Sequence, residues 1–415
     1  MYDENRLEAF RGDSGLERYR MPVRCPELGK YRIVTSDMPL FVVHKAAIQT
    51  ALWARQWARR SEIKHRRLGL EMNAKRRETT GPQKAKIAAE LTALARDEVA
   101  PLNTLLAEAL ANPVNLDWEL FRRYPDYPLP QPAPPQWPPA PEMPALPREP
   151  RATDEAYLPA LDAVDKVVKA RREEKERAAA EKFKAAHRKW EEIAQRMGQV
   201  HQEQTRRHAL AMQQEKARHD QAMAEWEAAR QQYLEDRRQC LPLIDAKRQA
   251  YHIGEPFSVM DYCEQLLALS QYPDYFPQSF DIDYYPVTRG LSVDYLLPPL
   301  RALPWLKAVE YSESENTLRN TLFTEEERMV FYARLLYEIP MRVLHELFAR
   351  DTADVLKVVR FMGYVFLEEN PPLGQPPSLV LTVEATKRGF MALDLTPQNA
   401  VDCFENIGGV FHMTQ

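Results

Sequence analysis

The rhythm of apolar and polar positions changes several times along this chain. Residues 1–43 carry no helical period; YRIVTSD and PLFVVHK, on either side of Pro39, read as short strands of a small N-terminal cap. From His44 to Ala111 the small and apolar residues (Ala46, Ala47, Ile48, Ala51, Leu52, Ala54) recur at helical spacing. Thr79-Thr80-Gly81-Pro82 divides this 44–111 segment in two, because proline removes an amide donor and glycine and β-branched residues lower helix propensity. Pro101 predicts a kink further on.

Residues 112–159 form a proline-rich linker. Fourteen of the 47 residues from 113 to 159 are proline, so an extended, polyproline-II-like conformation is expected. Such a segment serves as a strap along a neighbouring helix or as a ligand for an SH3-like module; the strap is favoured. Residues 160–250 then read as one long charged helix, with no proline between Pro159 and Pro242 and the single glycine Gly198. Phe183, Ala186, Trp190, Ile193, Met197 and Val200 fall at alternating steps of three and four, a heptad seam. The seam fails at Gln204, Arg207 and Gln214 and partly resumes at Met223, Trp226, Ala229 and Tyr233. A helix this polar needs a second helix over its seam. The 44–111 segment is the nearest candidate, and a homo-oligomer or a coiled-coil partner chain is expected as well.

From 255 to 415 the pattern is globular. PFSVMDYCEQLLALS reads as a helix; FDIDYYP and LSVDYLLP alternate around Thr288-Arg289-Gly290 as a hairpin; LKAVEYSES supplies a third strand. Thr324 and Glu327 form a capping box for a long helix that Pro340 should kink or divide. VLKVVRFMGYVFLEE and SLVLTVEATK, separated by the loop NPPLGQPP, give two more strands, and Thr396-Pro397 opens a last short helix. The fold class is α+β: a helical coiled-coil stalk with a proline-rich linker, then a mixed domain of order α-β-β-β-α-β-β-α.

Charge sharpens this division. The net charge of −4 hides 13 basic against 7 acidic residues from His44 to Ala111, and 12 against 23 from Glu255 onward. A basic front and an acidic back bear on partners, not on fold. Four scattered cysteines without a C-x-x-C pair argue for reduced thiols, and the N-terminus has no apolar core of a secretory signal. With no run long enough to span a membrane, a cytoplasmic protein is expected.

The search for chemistry returns little. A Mg²⁺-dependent nuclease of the PD-(D/E)xK kind needs clustered carboxylates and a lysine. The nearest match, Asp294 followed by Glu310-Tyr311-Ser312, has serine in the lysine position, and Glu384-Ala385-Thr386-Lys387 is one residue too long. His201, His208 and His219 lack the i, i+4 spacing of a metal pair, and His345-Glu346 sits among apolar residues as a core-edge histidine. There is no P-loop, G-x-G-x-x-G or nucleophile elbow. No catalytic residue, metal or cofactor is therefore assigned, and the chain leans away from being an enzyme.

What remains is basic. Arg55, Arg59, Arg60, Lys64, Arg66, Arg67, Lys75, Arg76 and Arg77, with Lys84 and Lys86, stand against three glutamates. Phosphates are the natural counterpart. Arg55, Arg59, Lys64 and Arg67 are expected roughly along one helical face, flanked by Trp53 and Trp57, which either stack on bases or pack. Docking on the acidic domain and plain solvation are the other readings of the patch.

The segments YPDYFPQSFDIDYYPVTRGLSVDYLLPPL, RVLHELFARD, VVRFMGYV and TVEATKRGFMALDL together resemble the bacterial restriction system protein family, over about residues 113–407. The resemblance rests on the Phe280–Pro298 hairpin, on His345-Glu346-Leu347-Phe348 and on Gly363-Tyr364-Val365. It implies a charged coiled coil and a proline-rich stretch ahead of an α+β module, commonly followed by an Mrr-type endonuclease domain. The Mrr-type core, an Asp followed by Gln/Glu-x-Lys, is absent from these residues. Either the chain is nuclease-free or it is part of something longer. The expectation is a non-catalytic component of a DNA-restriction or phage-defence system that binds nucleic acid or positions a separate nuclease or helicase subunit. The alternatives are a coiled-coil scaffold joining protein partners, and an enzyme whose site is unfamiliar.

Overall fold

The structure, a computed structural model, describes residues 6–112, 116–122, 126–127, 129–161, 168–368 and 375–412. Residues 370–374 of the NPPLGQPP loop, residues 113–115, 123–125 and 128 of the proline-rich segment, and 162–167 of the expected long helix lie outside the described residues. The chain divides into two compact units: a composite unit of residues 1–128 and 233–415, and a strap–helix unit of residues 129–232. This departs from the expected partition. The 1–43 cap, the 44–111 helices and the acidic 255–415 domain belong to one body, with the strap–helix unit inserted in sequence between them.

In the composite unit β1 (Glu8–Arg11), β2 (Glu17–Cys25) and β3 (Lys30–Ser36) form an antiparallel sheet. Helix α1 (Pro39–Lys75) follows, so PLFVVHK is helix rather than strand. Its β-branched and aromatic residues have low helical preference, but Pro39 stands in the first turn, where its missing amide costs nothing. Phe41, Val42 and Ala46 gain full burial there. Met21, Val23 and Val34 of the sheet pack on Val42, Ala46 and Trp53 of α1. Next come α2 (Gly81–Asn103), capped by Thr80 and Gln83, and α3 (Leu105–Ala111). The expected division falls between α1 and α2, at residues 76–80, and a second break comes at Thr104, just past Pro101, the site of the expected kink. A short α4 (Glu119–Arg122) precedes α5 (Lys169–His252), which contributes its first part to the strap–helix unit and residues from 233 to the composite unit.

The C-terminal elements are α6 (Pro256–Leu269), β4 (Ser279–Tyr285), β5 (Gly290–Leu296), β6 (Leu306–Ser312), β7 (Thr317–Leu322), α7 (Glu325–Arg350), β8 (Val358–Val365), β9 (Ser378–Thr386), α8 (Lys387–Met391), α9 (Ala400–Asn406) and β10 (Val410–Phe411). The main sheet has the order β10-β9-β8-β5-β4; β5 and β8 are parallel, joined by the crossover that contains α7, and the other pairs are antiparallel. Alternation along the strands sends Ile282, Val293, Phe361 and Val383 inward and Asp281, Ser292, Asp294 and Arg360 outward. The expected third strand, β6, is not part of this sheet; it pairs with β7 as a separate ribbon on α2, where Ala88, Leu91 and Val309 make a small core. Thr324 and Glu327 do form the capping box of α7, and Pro340 is accommodated within one continuous helix. The last helix begins later than expected: Thr396 donates its amide to the Asn399 side chain, and α9 starts at Ala400. Together these elements make an α+β architecture with one very long helix.

Buried charges join the front of the chain to its back. Arg32 of β3 and Lys45 of α1 meet Glu264 of α6 at 2.6 Å each; Lys45 also holds Asp261 at 2.7 Å, and Lys247 bridges Asp261 and Asp37. Three cations face three carboxylates, with Thr35, Ser36 and Gln49 supplying further hydrogen bonds. Burial works against ionisation of Asp261, but Lys45 and Lys247 outweigh it and hold the carboxyl below its usual range.

Candidate nucleic-acid interface

The first half of α1 is consumed by packing and the second half is not. Through Trp53 the helix lies against the N-terminal sheet; from Arg55 onward most of its side chains are exposed. Trp53 is 2 % exposed and Trp57 packs against the same cluster, so both indoles are core, not stacking platforms for bases. At about 100° per residue Arg55, Arg59 and Arg66 fall within about 40° of one line, whereas Lys64 and Arg67 turn well away from it. The expected grouping of Arg55, Arg59, Lys64 and Arg67 on one face is therefore corrected.

The basic residues split by partner. Arg67 pairs with Glu98 at 3.0 Å, Arg66 reaches Glu90 only at 4.0 Å, and buried Lys84 donates to the Asn316 carbonyl and side chain, both at 2.9 Å. Arg55, Arg59, Arg60, Lys64, Lys75, Arg76 and Arg77 are exposed and have no carboxylate within ion-pair distance among the described residues. Beneath Arg60, burial pulls the Lys30 ammonium down to about 8 against the pull of Asp274, and Lys30 donates to Gln56 and Gln278. At the far end, the turn from α1 to α2 opens a cleft of about 450 Å³ lined by Asn73, Arg76, Thr79, Gln83 and Lys86 as well as Glu78 and Glu90. Docking of the front of the chain on the acidic back does occur, through ion pairs of Arg18, Arg32 and Lys45, which lie outside the patch, and, within it, through the hydrogen bonds of Lys84 to Asn316.

The nearest nuclease match is taken apart in space. Asp294 lies on β5 of the main sheet, while Glu310 lies on β6 in the separate ribbon. Lys387 is occupied by Asp351 and Asp354. A polar cleft of about 240 Å³ on the outer sheet face gathers Arg18, Arg20, Asp13, Asp281, Asp283 and Asp294. Asp281 and Asp294 stand opposite each other across β4 and β5; burial, then the neighbouring carboxylates, push Asp294 up to about 6. Strand alternation puts Asp281 and Asp283 of FDIDYY on one face of β4 and sets Asp294 of LSVDYL apart from its apolar neighbours on β5, but only the register makes Asp281 and Asp294 neighbours. Among the described residues no group of three or more potential ligands could hold a metal ion. His345 is half-buried on α7, and burial lowers its pKa.

The seam is covered by proline, not by a second helix. Trp190 donates its indole N–H to the Pro147 carbonyl at 2.8 Å, His208 Nε2 lies 2.9 Å from the Pro138 carbonyl, and the Trp226 indole donates to the Leu129 carbonyl at 2.9 Å. The 44–111 helices instead pack on each other, on the N-terminal sheet and on the β6–β7 ribbon within the composite unit. Phe183, Ala186, Trp190 and Met197 are half-buried, but Ile193 and Val200 are 45 % and 48 % exposed. The stripe does not end at Gln204; it continues through His201, His208, Met212, Glu215 and His219. A strict seven-residue repeat drifts about 20° per heptad from a straight helix, and the covered face follows the helix. The missed signal was in the linker: Pro132, Pro135, Pro138, Pro141, Pro144, Pro147 and Pro150 recur at every third position. Compared with known proteins, the chain matches no family model, no curated protein and no solved structure.

Proposed function

We propose that this chain is a non-catalytic, cytoplasmic nucleic-acid-binding component of a DNA-restriction or phage-defence system, and that α1 supplies its phosphate-binding surface. One observation carries the reading: seven cations between Arg55 and Arg77 stand exposed and without carboxylate partners among the described residues, while neighbouring Arg67 and Lys84 are tied into the fold. Unpaired arginines cost little to leave in water and release condensed counterions when they meet a phosphate backbone. Arg55 and Arg59, one helical turn apart, share a line with Arg66, which would exchange its 4.0 Å contact with Glu90 for a phosphate; such contacts position a nucleic acid without reading its sequence. The restriction setting is supported only by the resemblance of the Phe280–Pro298, His345–Phe348 and Gly363–Val365 segments. In that setting a separate nuclease or helicase would do the cutting.

The test is fluorescence anisotropy of a labelled duplex titrated with the protein over a range of salt concentrations. Binding should weaken steeply with salt, and Arg55→Ala/Arg59→Ala/Arg66→Ala should flatten the log–log slope by about 2.7, three contacts at about 0.9 each. Unchanged affinity and slope in the triple variant would remove α1 from the interface. Absence of salt-dependent binding by the parent chain would favour the alternative reading, a scaffold for protein partners, to which the strap-covered helix is suited.

A further inference from the structure

A polyproline-II segment and an α-helix have different periods, so two such elements laid side by side ordinarily lose register within a few residues. Here they do not. The three helix donors, Trp190, His208 and Trp226, are spaced by eighteen residues; the three carbonyls they reach, Pro147, Pro138 and Leu129, are spaced by nine. Eighteen helical residues are five full turns and about 27 Å of rise, while nine polyproline-II residues are three full turns and about 28 Å. Both elements therefore return to the same face after nearly the same length. A flanking set of contacts obeys the same ratio: Glu149 meets His187 at 3.2 Å and Gln131 meets Met223 at 3.6 Å, eighteen strap residues against thirty-six helix residues.

Burial follows the metric too. From Pro130 to Pro150 the half-buried residues are Pro132, Pro135, Pro141 and Pro150, all members of the period-three proline series, and every other residue of that stretch is exposed. The four half-buried prolines share the strap's period with the carbonyls that accept from the helix, and on the helix Phe183, Trp190, Met197 and Met212 are half-buried beside the indole and imidazole donors. Tryptophan and histidine suit these positions, because each adds apolar area and one N–H for a carbonyl that polyproline II leaves without an internal partner. The same packing leaves the half-buried Pro132, Pro135, Pro141 and Pro150 less accessible to an aromatic groove that reads polyproline-II ligands.

We propose that strap and helix form a metric pair, a stiff spacer locked in one register by commensurate periods, whose length can change only in joint steps of nine strap and eighteen helix residues. The spacer needs no second chain over its seam, since the strap already occupies it. This inference is independent of nucleic-acid binding by α1.

Paired deletions in the 415-residue chain test it. Removing Pro138–Leu146 together with Trp190–Arg207 keeps both phases and brings His208 to the Pro147 carbonyl. Removing Pro138–Leu146 with only Trp190–Gln204 rotates the remaining helix by about 60° and leaves the register broken. Hydrogen exchange across the helix, read by mass spectrometry with peptides of the composite unit as internal control, should stay within about twofold of the parent in the matched deletion and rise about tenfold or more in the mismatched one. Equal protection in the two deletions would overturn the metric lock, as would a matched deletion as labile as the mismatched one. A third variant lacking Pro130–Pro150 should lose protection over 183–230; protection retained at parental level, as a second copy on the seam would give, also overturns the proposal.

Discussion

The two units of this protein solve the same problem, a surface that cannot be left in water, by opposite means. In the strap–helix unit the recurring contacts follow one local rule, a proline every third residue against a donor every eighteenth. In the composite unit the decisive contacts join residues more than two hundred positions apart: Lys45 to Asp261, Arg32 to Glu264, Lys247 to Asp37. Periodic burial is cheap to encode and tolerant of change, because each repeat contributes a little and the exposed side remains solvated. A buried charge network is the reverse. Its members gain little over apolar residues when all are present, yet the loss of one strands the others in a medium that cannot solvate them.

That contrast can be broken by measurement. The largest effect is expected from Asp261→Asn, which deprives Lys45 and Lys247 of a shared carboxylate; by denaturant unfolding it should cost about 3–5 kcal/mol. Since pairing lowers the Asp261 pKa, its contribution is present at neutral pH and fades as pH falls through the acid range. A loss below about 1 kcal/mol would place the network among replaceable contacts.

Glu338 should act with the opposite sign. It is 2 % exposed on α7, and burial pushes it up to about 7 although Arg334, 3.4 Å away, and the Leu106 amide oppose the shift. The folded state then holds a proton that the unfolded state releases, so stability should fall as pH rises from about 4.5 to about 7, by at most about 3 kcal/mol. Glu338→Gln should flatten that dependence; unfolding curves at pH 5 and pH 8 that still differ by the parental amount would dismiss Glu338 as its source.

Smaller effects follow from local chemistry. Thr324→Ala deletes the hydroxyl that accepts from the Glu327 amide and should cost about 1 kcal/mol, read as a shift in urea midpoint. Trp226→Phe keeps an aromatic ring but removes the N–H given to the Leu129 carbonyl. Because water can replace that donor, less than about 1 kcal/mol is expected, confined to faster exchange around residues 219–233. A global loss of stability from this substitution, or none from Asp261→Asn, would reverse the comparison between the units.

Much is legible in one dimension. The interruption at 79–82, the long uninterrupted helix, the Phe280–Leu296 hairpin and the Thr324 capping box all rest on interactions within a few residues, where backbone chemistry has the deciding vote. The period-three prolines are equally legible, since they answer to a single helix geometry. The seam is only half legible: its apolar residues are visible, but extrapolating a heptad leads off the face that a straight strap covers. PLFVVHK misleads because burial against a distant sheet outweighs the strand preference of its side chains.

What the sequence could not fix is which charges are structural. Arg18, Arg32, Lys45 and Lys84 look the same as Arg55, Arg59 and Arg60 when read along the chain, and only the fold ties the first group down and leaves the second in water. Local rules set helices, turns and repeats because their partners are near in the chain. The pairing of Asp281 with Asp294, the enclosure of Lys45 and the split of the basic patch depend on register and on segments brought together from far along the chain, and that decision belongs to the tertiary structure.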